Sequence, residues 1–163
     1  MTHSSLADLP CPVARSLDVI GEWWTLLIVR DAVIGARRFD EFKGTGIADN
    51  ILAARLKRLV EEGIFERRPY QEHPTRYEYI LTEKGRGLGL VLTALRTWGQ
   101  RWTRGKDLSR LSHGSSGHNV TAKMFCEDCG RALTPDEIRP SRQAADGRSW
   151  RAVRSTSTSP SAE

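Results

Sequence analysis

The chain has 163 residues, 39% hydrophobic and 28% charged, with five tryptophans: material for one modest core and an extension. No apolar run approaches a membrane span, and Met1-Thr2-His3-Ser4-Ser5 shows no basic stretch followed by an apolar one, so neither a secreted nor a membrane-bound chain is expected. Cys11, Cys126 and Cys129 are too few and too unevenly placed for a disulfide framework, and the expected compartment is the cytoplasm.

In chain order, residues 13–20 read as a short amphipathic helix, with Pro12 suited to its first turn. Residues 23–34 are almost continuously apolar and stop at Gly35, the pattern of a central buried helix. Residues 37–43 give one or two helical turns and end in Gly44-Thr45-Gly46. From 48 to 62, Ile51, Leu52, Leu56, Leu59 and Val60 form one apolar stripe at helical spacing, closed by Gly63.

Residues 64–71 and 76–81 are rich in aromatic and β-branched side chains and read as two strands, joined by Glu72-His73-Pro74-Thr75. Thr82 then caps a helix over 83–102. Its apolar positions, Leu88, Val91, Leu92, Leu95, Trp98 and Trp102, recur about every 3.5 residues and suit packing on another helix. Gly, Ser, Arg and Pro dominate beyond Arg104. The expected division is 10–104 as the folded domain, 105–142 as an extension, and 143–163 as a disordered tail.

Two helices, a helix-turn-helix, a hairpin and a long helix, in that order, describe a winged helix-turn-helix: mainly α, with a small β-hairpin. In the 48–62 helix, the face away from the stripe carries Asn50, Ala54, Lys57 and Glu61, with Arg58 beside them, and its amino-terminal part is small and polar: Asn50, Ala53 and Ala54. Small residues let a helix settle in the major groove, and asparagine can pair with adenine through two hydrogen bonds. Arg38 precedes the turn, and the hairpin adds Arg67, Arg68, His73 and Arg76 for the backbone or the minor groove.

Taken alone, that helix reads as a solvated surface with i,i+4 ion pairs. The order of the elements points instead to double-stranded DNA. The net charge of +5 agrees, but residues 37–78 hold nine Lys/Arg against eight Asp/Glu, while 100–163 hold eleven against seven. The near-neutral central segment keeps a protein-binding winged helix as the rival, separable by salt dependence.

The chain resembles the HxlR-type winged-helix regulators of bacteria, a branch of the MarR-like group. The resemblance rests on Cys11-Pro12, the run Asp18-Val19-Ile20-Gly21-Glu22-Trp23-Trp24-Thr25-Leu26-Leu27-Ile28, and Arg37-Arg38-Phe39-Asp40-Glu41-Phe42. It continues through Leu52, Arg55-Leu56, Leu59, Glu62-Gly63, Glu66-Arg67, Tyr77-Glu78-Tyr79, Leu81-Thr82-Glu83-Lys84-Gly85-Arg86 and Leu95-Arg96-Thr97-Trp98-Gly99, covering residues 10–104. It implies a homodimer built from the first and last helices, two recognition helices on a pseudo-palindrome, and a repressor or activator of nearby genes. It also implies that the cysteine at position 11 senses oxidants or electrophiles in some members. Ala48 departs from the Ser or Thr that many relatives use as a helix cap, although Asp49 still favours the helix start by charge.

Cys11 lies just before a helix start, where the positive helix end favours a thiolate. It reads either as a redox sensor or as a structural cysteine of a dimer interface. Cys126-Glu127-Asp128-Cys129 is half of a zinc site, for which His113 and His118 would have to complete an H-x4-H-x7-C-x2-C set; a dithiol or a plain turn is the simpler reading. Some relatives carry a further cysteine near position 116, where this chain has Ser116. Zinc is the only cofactor the sequence suggests, and none is required. The tryptophans Trp23, Trp24, Trp98 and Trp102 read as core and interface before an inducer pocket. No catalytic set falls at recognisable spacing, and Gly85-Arg86-Gly87-Leu88-Gly89 lacks the strand before it and the Lys-Ser/Thr of a phosphate loop.

Overall fold

The computed structural model describes residues 5–105 and 110–139. The order is α1 (Pro12–Ile20), α2 (Trp23–Val33), a 3-10 helix (Phe39–Thr45), α3 (Asp49–Glu61), β1 (Phe65–Gln71), β2 (Arg76–Leu81) and α4 (Glu83–Trp102), then β3 (Met124–Phe125), β4 (Ala132–Leu133) and a 3-10 turn (Pro135–Glu137). This is a winged helix-turn-helix. The chain divides into two compact units, Met1–Ala122 and Lys123–Glu163. The stretch between α4 and the boundary belongs to the first unit: the Ala122 N–H donates to Thr97 Oγ1 on α4 at 3.1 Å. The expected tail at 143–163 lies outside the described residues.

The core joins Ile20, Ile28, Val29, Phe42, Ile47, Leu52, Leu56, Leu59, Ile64 and Phe65, and Leu88 and Leu92 of α4 pack against it. Every helix of the first unit thus turns apolar side chains inward, as the periodicities require. Phe42, Phe65 and Tyr79 meet edge to face, with ring centroids 6.2–6.4 Å apart, and so tie the 3-10 helix to both strands. Helix α2 is not buried on most sides. It encloses Thr25, Ile28, Val29 and Asp31, yet Trp23 is 84% and Ile34 74% exposed, because core lies on one side of it.

Strands β1 and β2 pair antiparallel, Phe65 opposite Leu81 and Arg67 opposite Tyr79, with a register shift between Pro69 and Gln71. An isolated bridge from Arg38 to Glu78 and the Tyr79 N–H bond to the Arg37 carbonyl (2.7 Å) lay the segment before the 3-10 helix against β2. Thr82 caps α4 as its sequence position predicts, accepting the Gly85 N–H at 3.1 Å.

Candidate nucleic-acid interface

The turn of the helix-turn-helix is built by Gly46. At φ +79° it takes the left-handed conformation that a side chain would strain, and its N–H closes on the Lys43 carbonyl at 2.9 Å. Buried Phe42 and Ile47 pin the two sides of the turn. Ala48 gives α3 no side-chain cap. Lys43 compensates by bridging Asp40 (3.0 Å) and Asp49 (2.9 Å), which holds the Asp49 carboxylate at the helix start. Glu41 reaches back to the N–H groups of Arg37 and Arg38 (2.6 and 3.0 Å), and those bonds hold its carboxyl below the ordinary range.

Leu52, Leu56 and Leu59 are buried, so α3 presents Asn50, Ala53, Ala54, Lys57 and Arg58 to solvent, all exposed. A Schellman turn ends the helix: Gly63 (φ +68°) bonds to the Val60 carbonyl and Ile64 to the Leu59 carbonyl. The anticipated i,i+4 pairs also form, Lys57–Glu61 at 3.8 Å and Arg58–Glu62 at 3.1 Å. On the wing, Arg67 lies over the Tyr77 ring, Arg68 pairs with Glu66 at 2.8 Å, and Arg38 sits over Tyr70 while reaching Glu78 at 3.3 Å. His73 and Arg76 are exposed at the tip, and Arg76 has no acidic partner among the described residues.

A second surface is apolar. Helices α1 and α4 border a groove of about 580 Å³ lined by Pro12, Val13, Ser16, Leu17, Leu88 and Val91, among others. Of the expected interface positions, Leu88 and Leu92 turn partly to the chain's own core, while Val91, Leu95, Trp98 and Trp102 are exposed. Leu90 is also exposed, at 75%, and lies off the heptad pattern. No tryptophan lines the groove.

Cys11 is half-buried and occupies the residue before α1, with its carbonyl accepting the Arg15 N–H at 3.1 Å. None of the three cysteines is in a disulfide. In the second unit, the N–H groups of Cys129 and Asp128 and the Cys129 thiol donate to the Cys126 sulfur and hold that thiol below its ordinary range. In the first, His113 Nδ1 lies 3.0 Å from the Ser116 hydroxyl and 3.1 Å from that of Ser115. No group of three or more His, Cys, Asp or Glu placed to hold a metal occurs among the described residues.

A family model, the HxlR-like helix-turn-helix, matches residues 19–107. The chain belongs to the HxlR family. It is similar to an HTH-type transcriptional regulator of Mycobacterium tuberculosis, 39% identical over 132 residues that cover 78% of this chain and 83% of the other. YdeP of Bacillus subtilis, also named an HTH-type transcriptional regulator, is 34% identical over 94 residues, 56% of this chain and 73% of its own. Among solved structures, PA1607, described as a candidate transcription factor, superposes with TM-score 0.75 at 43% identity, covering 85% of this chain and 99% of that one. PA1374 of Pseudomonas aeruginosa gives 0.59 at 41%, over 83% and 94%.

The HxlR chain is thus a helix-turn-helix transcriptional regulator, and the relatives it matches are named as regulators rather than enzymes. None of its helices among the described residues is long and apolar enough to cross a membrane. One contact of this HxlR site is not anticipated by the sequence pattern. Arg55, at the edge of the buried stripe, pairs with Glu22 before α2 at 2.9 Å and so fixes the middle of α3 against the preceding helix. Its signal is slight: a cation flanking buried Leu56 is as often a solvated rim residue.

Proposed function

We propose that this HxlR-family chain is a repressor that binds a pseudo-palindromic operator as a homodimer, with one α3 helix in the major groove at each half-site. The observation that carries the reading is the exposed face of α3, where Asn50, Ala53 and Ala54 sit clear of the ion pairs formed by Lys57 and Arg58. Small and polar groups at the front of a recognition helix permit close approach to base edges. Arg38, Lys57, Arg58, Arg67, Arg68, His73 and Arg76 are assigned to phosphates and the wing contact.

The exposed apolar residues of α1 and α4 support the dimer, since an apolar face that large calls for a partner. Cys11 begins the helix that borders this face, so oxidation or alkylation of its thiolate acts where two copies would meet. The exchanged signal is then an oxidant or an electrophile, with a small molecule in the groove as the alternative inducer.

Fluorescence anisotropy tests this directly. The purified chain is titrated into its own upstream intergenic duplex at two salt concentrations, with scrambled competitor, before and after diamide. Selective binding of two chains per site, weakened by salt through counterion release, supports the proposal. Absence of selective binding under reducing conditions overturns it and directs attention to protein partners. Release by diamide that persists unchanged in Cys11→Ser removes Cys11 as the sensor.

A further inference from the structure

In the second compact unit no side chain is buried among the described residues, 123–139. A tight turn organises it. Strands β3 and β4 contribute two pairs, Met124 with Leu133 and Phe125 with Ala132, and Cys126-Glu127-Asp128-Cys129-Gly130 joins them. The Cys126 N–H donates to the Arg131 carbonyl at 3.0 Å, and the Gly130 N–H to the Cys126 carbonyl at 2.8 Å, with Gly130 at φ +65°. Hydrogen bonding from the Cys129 backbone and side chain and from the Asp128 backbone holds the Cys126 thiol below its ordinary range. The turn places the two cysteines three residues apart at its two ends, Cys126 half-buried and Cys129 exposed.

The turn does not need thiols. In the first unit, the His113 N–H donates to the His118 carbonyl and the Gly117 N–H to the His113 carbonyl, each at 2.8 Å, with Gly117 at φ +68°. That is the same backbone arrangement, with His113 and Ser116 at the two cysteine positions. The hydrogen bonds and the glycine make the turn, and the paired thiols are left without a structural task.

We propose that Cys126 and Cys129 form a two-thiolate site for a soft cation that is satisfied by two sulfur ligands, with Cu(I) as its type. Thiolates select soft ions, and N–H groups directed at a ligand sulfur are the outer partners that orient it. Zinc takes four donors in a structural site, and this turn supplies two. Two-coordinate Cu(I) requires nothing further. On binding, two Cu–S bonds form, two thiol protons leave to solvent, and no electron is transferred. The site is independent of the DNA-binding reading.

The experiment uses the full chain, reduced and metal-free, titrated anaerobically with Cu(I) in competition with bicinchoninate. One Cu(I) per chain is expected. Cys126→Ser and Cys129→Ser should each weaken retention by at least about 100-fold, since loss of even an outer partner costs about 10–100-fold. Cys11→Ser should bind as the parent does. Circular dichroism checks that each variant keeps the helices of the first unit, which holds neither Cys126 nor Cys129. Failure to retain Cu(I), or retention unchanged in both variants, overturns the site. A Co(II) complex with tetrahedral absorption bands overturns the two-ligand assignment, because it requires donors beyond the pair.

Discussion

The Thr82 hydroxyl donates to the Gly63 carbonyl at 2.7 Å, so the residue that caps α4 also holds the residue that ends α3. The Thr82 N–H reinforces the junction by bonding to the Ile64 carbonyl at 3.0 Å. The recognition helix and the helix proposed for dimer contact are thus fastened through one side chain. Thr82→Ala should cost about 1 kcal/mol of stability, the usual size of a lost cap, and Thr82→Ser should recover most of it. Urea midpoints of the three proteins check this. Equal midpoints would mean that the hydroxyl contributes nothing.

Glycine at 85 is required by proximity rather than by backbone conformation. A Cβ there would meet the Ile64 carbonyl oxygen and the Leu81 side chain, whereas one at Gly87 would meet open space. Gly85→Ala should destabilise by about 1–3 kcal/mol through overpacking. Gly87→Ala, in the same helix, should be neutral or gain up to about 1 kcal/mol from helix propensity. Thermal unfolding of the two variants gives opposite signs if this packing is right.

A large acidic side chain on the exposed front of α3 should abolish selective DNA binding without unfolding the protein. Ala54→Glu is the variant of choice, because position 54 is exposed and not helix-capping. Anisotropy should show at least about a 100-fold loss, in keeping with several kcal/mol of repulsion and lost fit, while the unfolding free energy from urea titration changes by less than about 0.5 kcal/mol. By contrast, Arg76→Ala at the wing tip should weaken all sequences about equally and lower the salt slope by about one.

Glu41 gives the helix-turn-helix an acid-sensitive point. Its folded pKa lies below the ordinary 4.5, because it accepts the Arg37 and Arg38 N–H groups. A depressed carboxylate contributes stability above its unfolded pKa and loses it as pH falls through the folded value. Glu41→Gln should therefore be less stable than the parent at neutral pH, by about 0.5–1 kcal/mol for so exposed a group, and the gap should close below about pH 4.5. Denaturant midpoints from pH 7 to 3 provide the check.

Much of this arrangement is legible in the chain itself. Residues 83–102 announce α4 by the Thr82 cap and the apolar repeat, and the stripe through Leu52, Leu56 and Leu59 sets which side of α3 is outward. Short-range periodicity and local capping determine such features. Long-range pairing does not show in that pattern. The Arg38–Glu78 and Arg55–Glu22 contacts join residues distant in sequence, and the solvent-facing side of α2 depends on which neighbours cover it. The repeated turn at 113–118 and 126–131 is hidden for another reason: it is made by backbone bonds and a left-handed glycine, and its side chains differ.

Most cations of the proposed DNA face already have partners: Lys57 with Glu61, Arg58 with Glu62, Arg68 with Glu66, and Arg38 with Glu78. Each phosphate taken up by one of them must displace a carboxylate, so docking is an exchange of ion pairs rather than a simple gain. Random genomic duplex, which offers phosphates and no matched bases, should hold such a protein weakly. Time lost on wrong sites falls accordingly, and the matched operator stands out by the base contacts that repay the exchange.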